Sequence, residues 1–215
     1  MKINTDYLSN KNSYEGQTPR YIVIHNTDND NPGADARAHA KAQHDGNFDG
    51  MSAHVYVDDK EAYQALPFSR GAWHVGVDYG GKLFGTVNNR NSIGIEMCVQ
   101  KGYDYEKAFQ NTAEVCRQIM KELSIPEERV VQHYDVCAKD CPSAIRARGD
   151  WERFKNMIGS ENTGEEEPRE QKAGLTEEVA VRFPEISRGC TGVAVRMLQA
   201  MLGVSVDGIF GEETE

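Results

Sequence analysis

The sequence is poor in the features that would place a chain in a membrane or on a nucleic acid. No apolar run approaches the roughly 18 to 20 residues needed to span a bilayer, and only 39% of the residues are hydrophobic. A basic excess is missing as well. The 24 lysines and arginines face 34 aspartates and glutamates, a formal net charge of -10, which has the wrong sign for holding phosphates. Membrane insertion and a nucleic-acid partner are therefore both excluded as readings. The opening residues, MKINTDYLSNKNSYEGQ, lack the apolar stretch and small-residue cleavage site of a secretory signal, so the chain is expected to be cytoplasmic on synthesis. The five cysteines, Cys98, Cys116, Cys137, Cys141 and Cys190, are odd in number and without CxxC spacing. They argue for individual thiol roles over a disulfide framework.

Present instead are six histidines, at 25, 39, 44, 54, 74 and 133, so any imidazole chemistry belongs to the first part of the chain. The 215 residues suffice for one well-packed domain and something smaller. Between Glu161 and Glu178 seven glutamates stand against Arg169 and Lys172, with almost no bulky apolar residues to bury. Such a stretch reads as an extended, self-repelling spacer. The expected organisation is a domain over 1–158, an acidic linker over 159–181 and a short tail over 182–215.

Within the first part, Tyr21 to Ile24 is a β-branched run that fits a strand buried on both faces and ends at His25. Ser52 to Val57 and Ser92 to Val99 alternate as half-buried strands do. On the latter, Ile93, Ile95 and Met97 face the core, while Gly94, Glu96 and Cys98 face the other way. A helical stripe runs from 104 to 123, with Asp104 as its cap. A second helix is expected from Pro32 to His44, leaving His39 and His44 exposed, and a terminal one after Asp150. Strands and helices mixed in this order predict an α/β fold, a mixed central sheet flanked by helices.

By residue type and setting, His25 at a strand end, His133 after Val130-Val131 and Cys141 before Pro142 are potential metal ligands. Zinc takes neutral imidazole and thiolate, and three protein ligands leave a fourth position open. Cys137 is a rival thiolate. Glu96 and Lys139 also have a plain reading, as a solvated strand carboxylate and a surface loop charge.

The segments VIHNT (23–27), SAHVYVDD (52–59), AWHVG (72–76), NSIGIE (91–96) and QHYDVCAKDCPS (132–143) resemble the motifs of zinc-dependent N-acetylmuramoyl-L-alanine amidases. That fold is shared by T7-type lysozyme, many endolysins and the peptidoglycan recognition proteins. The resemblance runs in order over about residues 20–158. It implies His25, His133 and Cys141 as ligands of one Zn2+ per chain, Cys141 being favoured over Cys137 because the lysine and the proline match around it. It implies Glu96 as the acid/base and Lys139 as an oxyanion-stabilising charge. Trp73, His74 and His54 fall near the cleft as substrate-binding candidates, with framework roles equally open to the two histidines. In the T7-type branch a tyrosine precedes the histidine of the second motif, and here that position is Ala53.

The implied activity is hydrolysis of the bond between muramic acid and L-alanine in bacterial peptidoglycan, by an endolysin or autolysin acting on the wall after release. The alternative is a non-catalytic peptidoglycan receptor on the same fold; such members often lack the ligand cysteine kept here. The tail, 182–215, resembles about half of a small helical peptidoglycan-binding module, through VAVRMLQAMLG and VDGIFG. Nothing in the sequence fixes how many copies assemble.

Overall fold

The computed structural model describes residues 1–48, 50–159 and the single residue 199. The chain divides into two units, Met1–Thr163 and Gly164–Glu215, and the fold below is that of the first. The linker expected over 159–181, beyond its first residue, and the partial wall-binding module over 182–215 lie outside the described residues, apart from residue 199.

A six-stranded mixed sheet forms the centre. Its strands are β1 (Ile3–Asn4), β3 (Tyr21–Asn26), β4 (Val55–Val57), β5 (Ala62–Gln64), β7 (Ser92–Met97) and β8 (Val130–Gln132), in the order β1-β5-β4-β7-β3-β8. All neighbours are parallel except β4 and β5. A separate two-stranded antiparallel ribbon joins β2 (Ser13–Tyr14) to β6 (Gly71–Ala72). The helices are α1 (Ala36–Asp45), α2 (Tyr105–Leu123), α3 (His133–Cys137), α4 (Ser143–Arg146) and α5 (Trp151–Gly159).

Alternation along the strands divides the side chains between the two faces of the sheet. Ile22, Ile24, Val55, Val57, Ile93, Ile95, Met97 and Val130 form one face and pack on α2 and α5 through Phe109, Ile119, Phe154 and Ile158. This is the main core, and its Phe109 and Phe154 rings meet edge to face, 5.6 Å apart. The helix expected over 104–123 is α2, capped as expected by the Asp104 carboxylate, which accepts the Lys107 N–H. Asp150 plays a different part at α5: its carbonyl accepts the Phe154 N–H while its carboxylate accepts the Tyr105 hydroxyl.

The opposite face carries two smaller clusters with a gap between them. On one side α1 packs Ala36 and Ala40 against Tyr56, Tyr63 and Cys98. On the other, Val23 and Val131 pack with Val75, Val87 and Val136. This second covering is why β4, expected to be half-buried, is buried throughout. α1 begins at Ala36, later than expected from Pro32, because the Asp35 carboxylate accepts the Ala38 N–H and caps it there. Regular pairing in β4 also starts later than Ser52, whose N–H goes to the Trp73 carbonyl, and the first bond to β7 is that of the His54 N–H to the Gly94 carbonyl.

Candidate metal centre

The gap between the two small clusters is a cleft of about 580 Å³ near the carboxyl ends of β3 and β7, where open parallel sheets place their ligands. Strand register assembles its floor: His25 on β3 lies opposite Glu96 on β7, and Glu96 lies opposite Tyr56 on β4. Parallel partners in register share a face, so Tyr56, Glu96 and His25 form a row across three strands.

His133 arrives from the neighbouring strand. β8 ends at Gln132, whose backbone N–H is taken by the Asp135 carboxylate at 2.9 Å where α3 starts. His133 is the first residue of that helix. α3 ends at Ala138, in the left-handed region at φ 60°, and three residues later Cys141 reaches the cleft. Asn26 ties this return to β3, its side-chain oxygen accepting the Ala144 N–H at 3.0 Å, while the Ser143 hydroxyl lies 3.2 Å from that oxygen and 2.9 Å from Asp28 Oδ1.

His25, His133 and Cys141 are all buried, and the ligand atoms they offer lie within 4.8 Å of one another. His25 Nδ1 is 3.7 Å from Cys141 Sγ. His133 leaves both ring nitrogens buried with no hydrogen-bond partner, an arrangement that burial disfavours unless a ligand is meant to fill it. Burial drives the His25 imidazole well below its ordinary range, helped by His133, His74 and Lys139. Burial likewise lowers His133 to about 4, again assisted by Lys139. Both rings are thus neutral, the form that donates a lone pair. Burial raises the Cys141 thiol, with Glu96 adding to it, and a bound cation would reverse that shift. Two neutral imidazoles, one of them with neither ring nitrogen partnered, and a thiol beside them fit a metal such as zinc. Cys137 also lines the cleft, outside this cluster.

Glu96 faces the same space. Its Oε2 is buried and unpartnered, and burial lifts its carboxyl to about 8 against the opposing pull of Lys139. Lys139 is exposed on the rim, where it lines the cleft beside Asp28. Trp73 stands at the wall, 45% exposed, its ring braced by Tyr14 at 4.6 Å, which Arg90 covers from 5.2 Å.

The two remaining sequence candidates differ from each other. His74 lines the cleft, with Nδ1 3.0 Å from His25 Nε2. His54, expected among the substrate-binding residues, does not reach the cleft. It is fully buried, with Nδ1 accepting the Gly94 N–H at 3.0 Å and Nε2 2.9 Å from the Arg70 carbonyl. These hydrogen bonds go to backbone groups, and burial lowers it to about 4. His39, expected to be exposed, is 8% exposed and stacks on Tyr56 with ring centroids 5.4 Å apart; α1 turns it towards the sheet, where it lines the cleft. Sequence reasoning missed Tyr56, Asn26 and Asn89, all lining residues. For Tyr56 the signal lay in the alternation of β4, which sets it opposite Val55 and Val57.

Among the described residues no helix is long and apolar enough to cross a membrane. Comparison with known proteins agrees with the geometry. The family profile of N-acetylmuramoyl-L-alanine amidases matches residues 15–144. CwlH of Bacillus subtilis (strain 168), an N-acetylmuramoyl-L-alanine amidase, is 41% identical over 145 residues, 67% of this chain and 55% of its own length. CwlA of a Bacillus species, with the same activity in its name, is 34% identical over 189 residues, 86% of this chain and 71% of its own. This chain therefore spans little more than half of the first of these relatives. Among solved structures, the catalytic domain of XlyA matches at 36% identity and a TM-score of 0.63, covering 74% of this chain and all of that one. PlyL matches at 35% and 0.64, covering 75% and 99%. With the matched profile covering more than half of its length, the chain belongs to the N-acetylmuramoyl-L-alanine amidase family.

Proposed function

We propose that the chain hydrolyses the amide bond between the lactyl group of N-acetylmuramic acid and L-alanine in bacterial peptidoglycan, as an endolysin or autolysin, using one zinc ion held by His25, His133 and Cys141. The observation that carries the reading is the buried cluster of two neutral imidazoles and a thiol beside an unpartnered carboxyl. When bound, zinc supplies the Lewis acidity that polarises an amide carbonyl and makes water acidic near neutral pH.

The protein's own groups divide the remaining work. Glu96 takes a proton from the attacking water and passes it to the alanine nitrogen as the C–N bond breaks; its position on the cleft floor and its shifted carboxyl suit that exchange. Lys139 brings positive charge to the rim, where it stabilises oxygen as negative charge develops on it. Trp73 offers a flat apolar wall for the sugar or the stem peptide, and His74 acts on the site from behind His25. The tail at 182–215 adds a second hold on the wall, and the acidic linker keeps the two close enough to raise the local concentration of substrate.

The test is digestion of purified peptidoglycan by the zinc-loaded protein, with mass spectrometry of the new ends. New amino-terminal L-alanine is expected. Reducing sugar ends, internal peptide cuts, or binding to the wall without any new ends would overturn the assignment, the last in favour of a receptor.

A further inference from the structure

Behind His25 a chain of hydrogen bonds leads away from the cleft, and one group in it has a role that chemistry alone decides. The Ser92 carbonyl oxygen can only accept. It lies 3.3 Å from His74 Nε2, and Ser92 Oγ lies 3.2 Å from the same nitrogen. The Ser92 hydroxyl proton is committed elsewhere, to the Asn88 carbonyl at 2.7 Å, so both Ser92 oxygens accept from His74 and Nε2 must carry a proton. A second proton on this buried ring would leave a charge with no carboxylate hydrogen-bonded to it, an arrangement that burial opposes. Nδ1 of His74 is then an acceptor, and its partner 3.0 Å away, His25 Nε2, must donate. That leaves the lone pair of His25 on Nδ1, the nitrogen 3.7 Å from Cys141 Sγ.

We infer that His74 is a positioning residue: together with Ser92 it sets the tautomer and ring plane of His25, so that Nδ1 is the atom His25 offers to a metal. The inference rests on the reading of His25 as a ligand. The surroundings hold His74 in place for this task. Its own N–H and that of Val75 both donate to Asn89 Oδ1, at 3.1 and 2.7 Å, and Asn89 Nδ2 returns a bond to the Val75 carbonyl at 3.1 Å. Its ring packs closely on strand β7 at Gly94, where a Cβ would come within 2.8 Å of the His74 ring. A ligand imidazole held in one tautomer and one orientation has nothing to rearrange when the metal arrives.

Nitrogen-detected tautomer assignment by NMR on the metal-free, full-length protein tests the first half directly. His25 is expected to carry its proton on Nε2, and added zinc is expected to move its Nδ1 resonance. A proton on Nδ1 overturns the inference. The second half is read as zinc affinity by competition with a chromophoric chelator. His74→Phe keeps the ring volume without an acceptor and should weaken zinc by about 10- to 100-fold. His74→Asn keeps an oxygen near the place of Nδ1 and should stay within about threefold of the parent. Unchanged affinity in a folded His74→Phe also overturns the inference; if that variant fails to fold, the tautomer of the parent protein decides alone. Neither measurement uses peptidoglycan, so a failed amidase assay with these results intact would sink the proposed activity and leave the role of His74 standing.

Discussion

Glu96 is a half-buried carboxyl on a strand face, with one oxygen buried and unpartnered and a lysine at the rim. Burial raises it to about 8 and Lys139 opposes that rise. In the metal-free protein this has a signed consequence. The folded state keeps a proton that the unfolded chain, with an ordinary carboxyl, has released. The stability from this group is fully present below about pH 4.5 and is lost as pH rises through about 8. Between about pH 6.5 and 8, chelated wild type should therefore lose up to about 1.4 kcal/mol per pH unit relative to Glu96→Gln, a comparison that urea unfolding at several pH values provides. A difference that stays constant across that window would show the carboxyl is not raised. With zinc restored, Glu96→Gln should still bind the metal and lose turnover by about 10²- to 10⁴-fold, the range of a missing acid/base. Undiminished activity would remove Glu96 from the mechanism.

The segment between β6 and β7 and the short helix α3 form the valine-lined side of the cleft, and one glycine sets how closely they meet. A Cβ on Gly81 would lie 2.1 Å from the Val136 carbonyl oxygen, a backbone atom that cannot swing aside. Gly81→Ala should push the segment off α3 and cost about 1–3 kcal/mol, the usual scale for overpacking. Because α3 begins with His133, zinc affinity should fall with it. Gly76→Ala is the control, since a Cβ there meets nothing within 4 Å; identical melting temperatures and zinc affinities for the two variants would refute the account. Elements of this kind were only partly legible in the sequence. β3, β7 and α2 could be read because each carries its own periodicity: Ile93, Ile95 and Met97 do face the main core, and Glu96 the other way. The burial of His39 and the place of Tyr56 could not, because each depends on which strand lies beside which, and the start of α1 turned on a local competition between two helix-starting residues. A side-chain cap at Asp35 outweighed the helix-starting character of Pro32, and the register of β4 against β7 exists only once the sheet has formed. Likewise His54 and His74 sit in similar motifs, yet only the sheet decides that one faces backbone and the other the cleft.

Charge is spread unevenly along the chain. Of the net -10, residues 161–178 supply -5 and residues 179–215 supply -2, leaving -3 on the first 160 residues. General charge repulsion is accordingly weak in the folded unit, and its response to acid is governed by particular buried groups. Four of these are imidazoles. His25 and His74 are held well below their ordinary range, and His54 and His133 at about 4, in each case first by burial. Their depressed values mean that the unfolded chain takes up protons the folded one refuses, so stability is intact above about pH 6.5 and falls as pH drops towards about 4. Glu96 works in the opposite direction, and near pH 5 its retained proton offsets most of one of the four. The balance is a net uptake of protons on unfolding, so stability falls as pH drops through this window. A marginally stable domain, with about 5–15 kcal/mol in hand, cannot absorb that for long. Chelated protein followed by urea unfolding at pH 7, 6 and 5 should lose much of its stability by about pH 5. A stability constant to within about 1 kcal/mol over that range would mean that these histidines are not buried neutral, and with them would go the description of the metal centre as two uncharged imidazoles waiting for a cation.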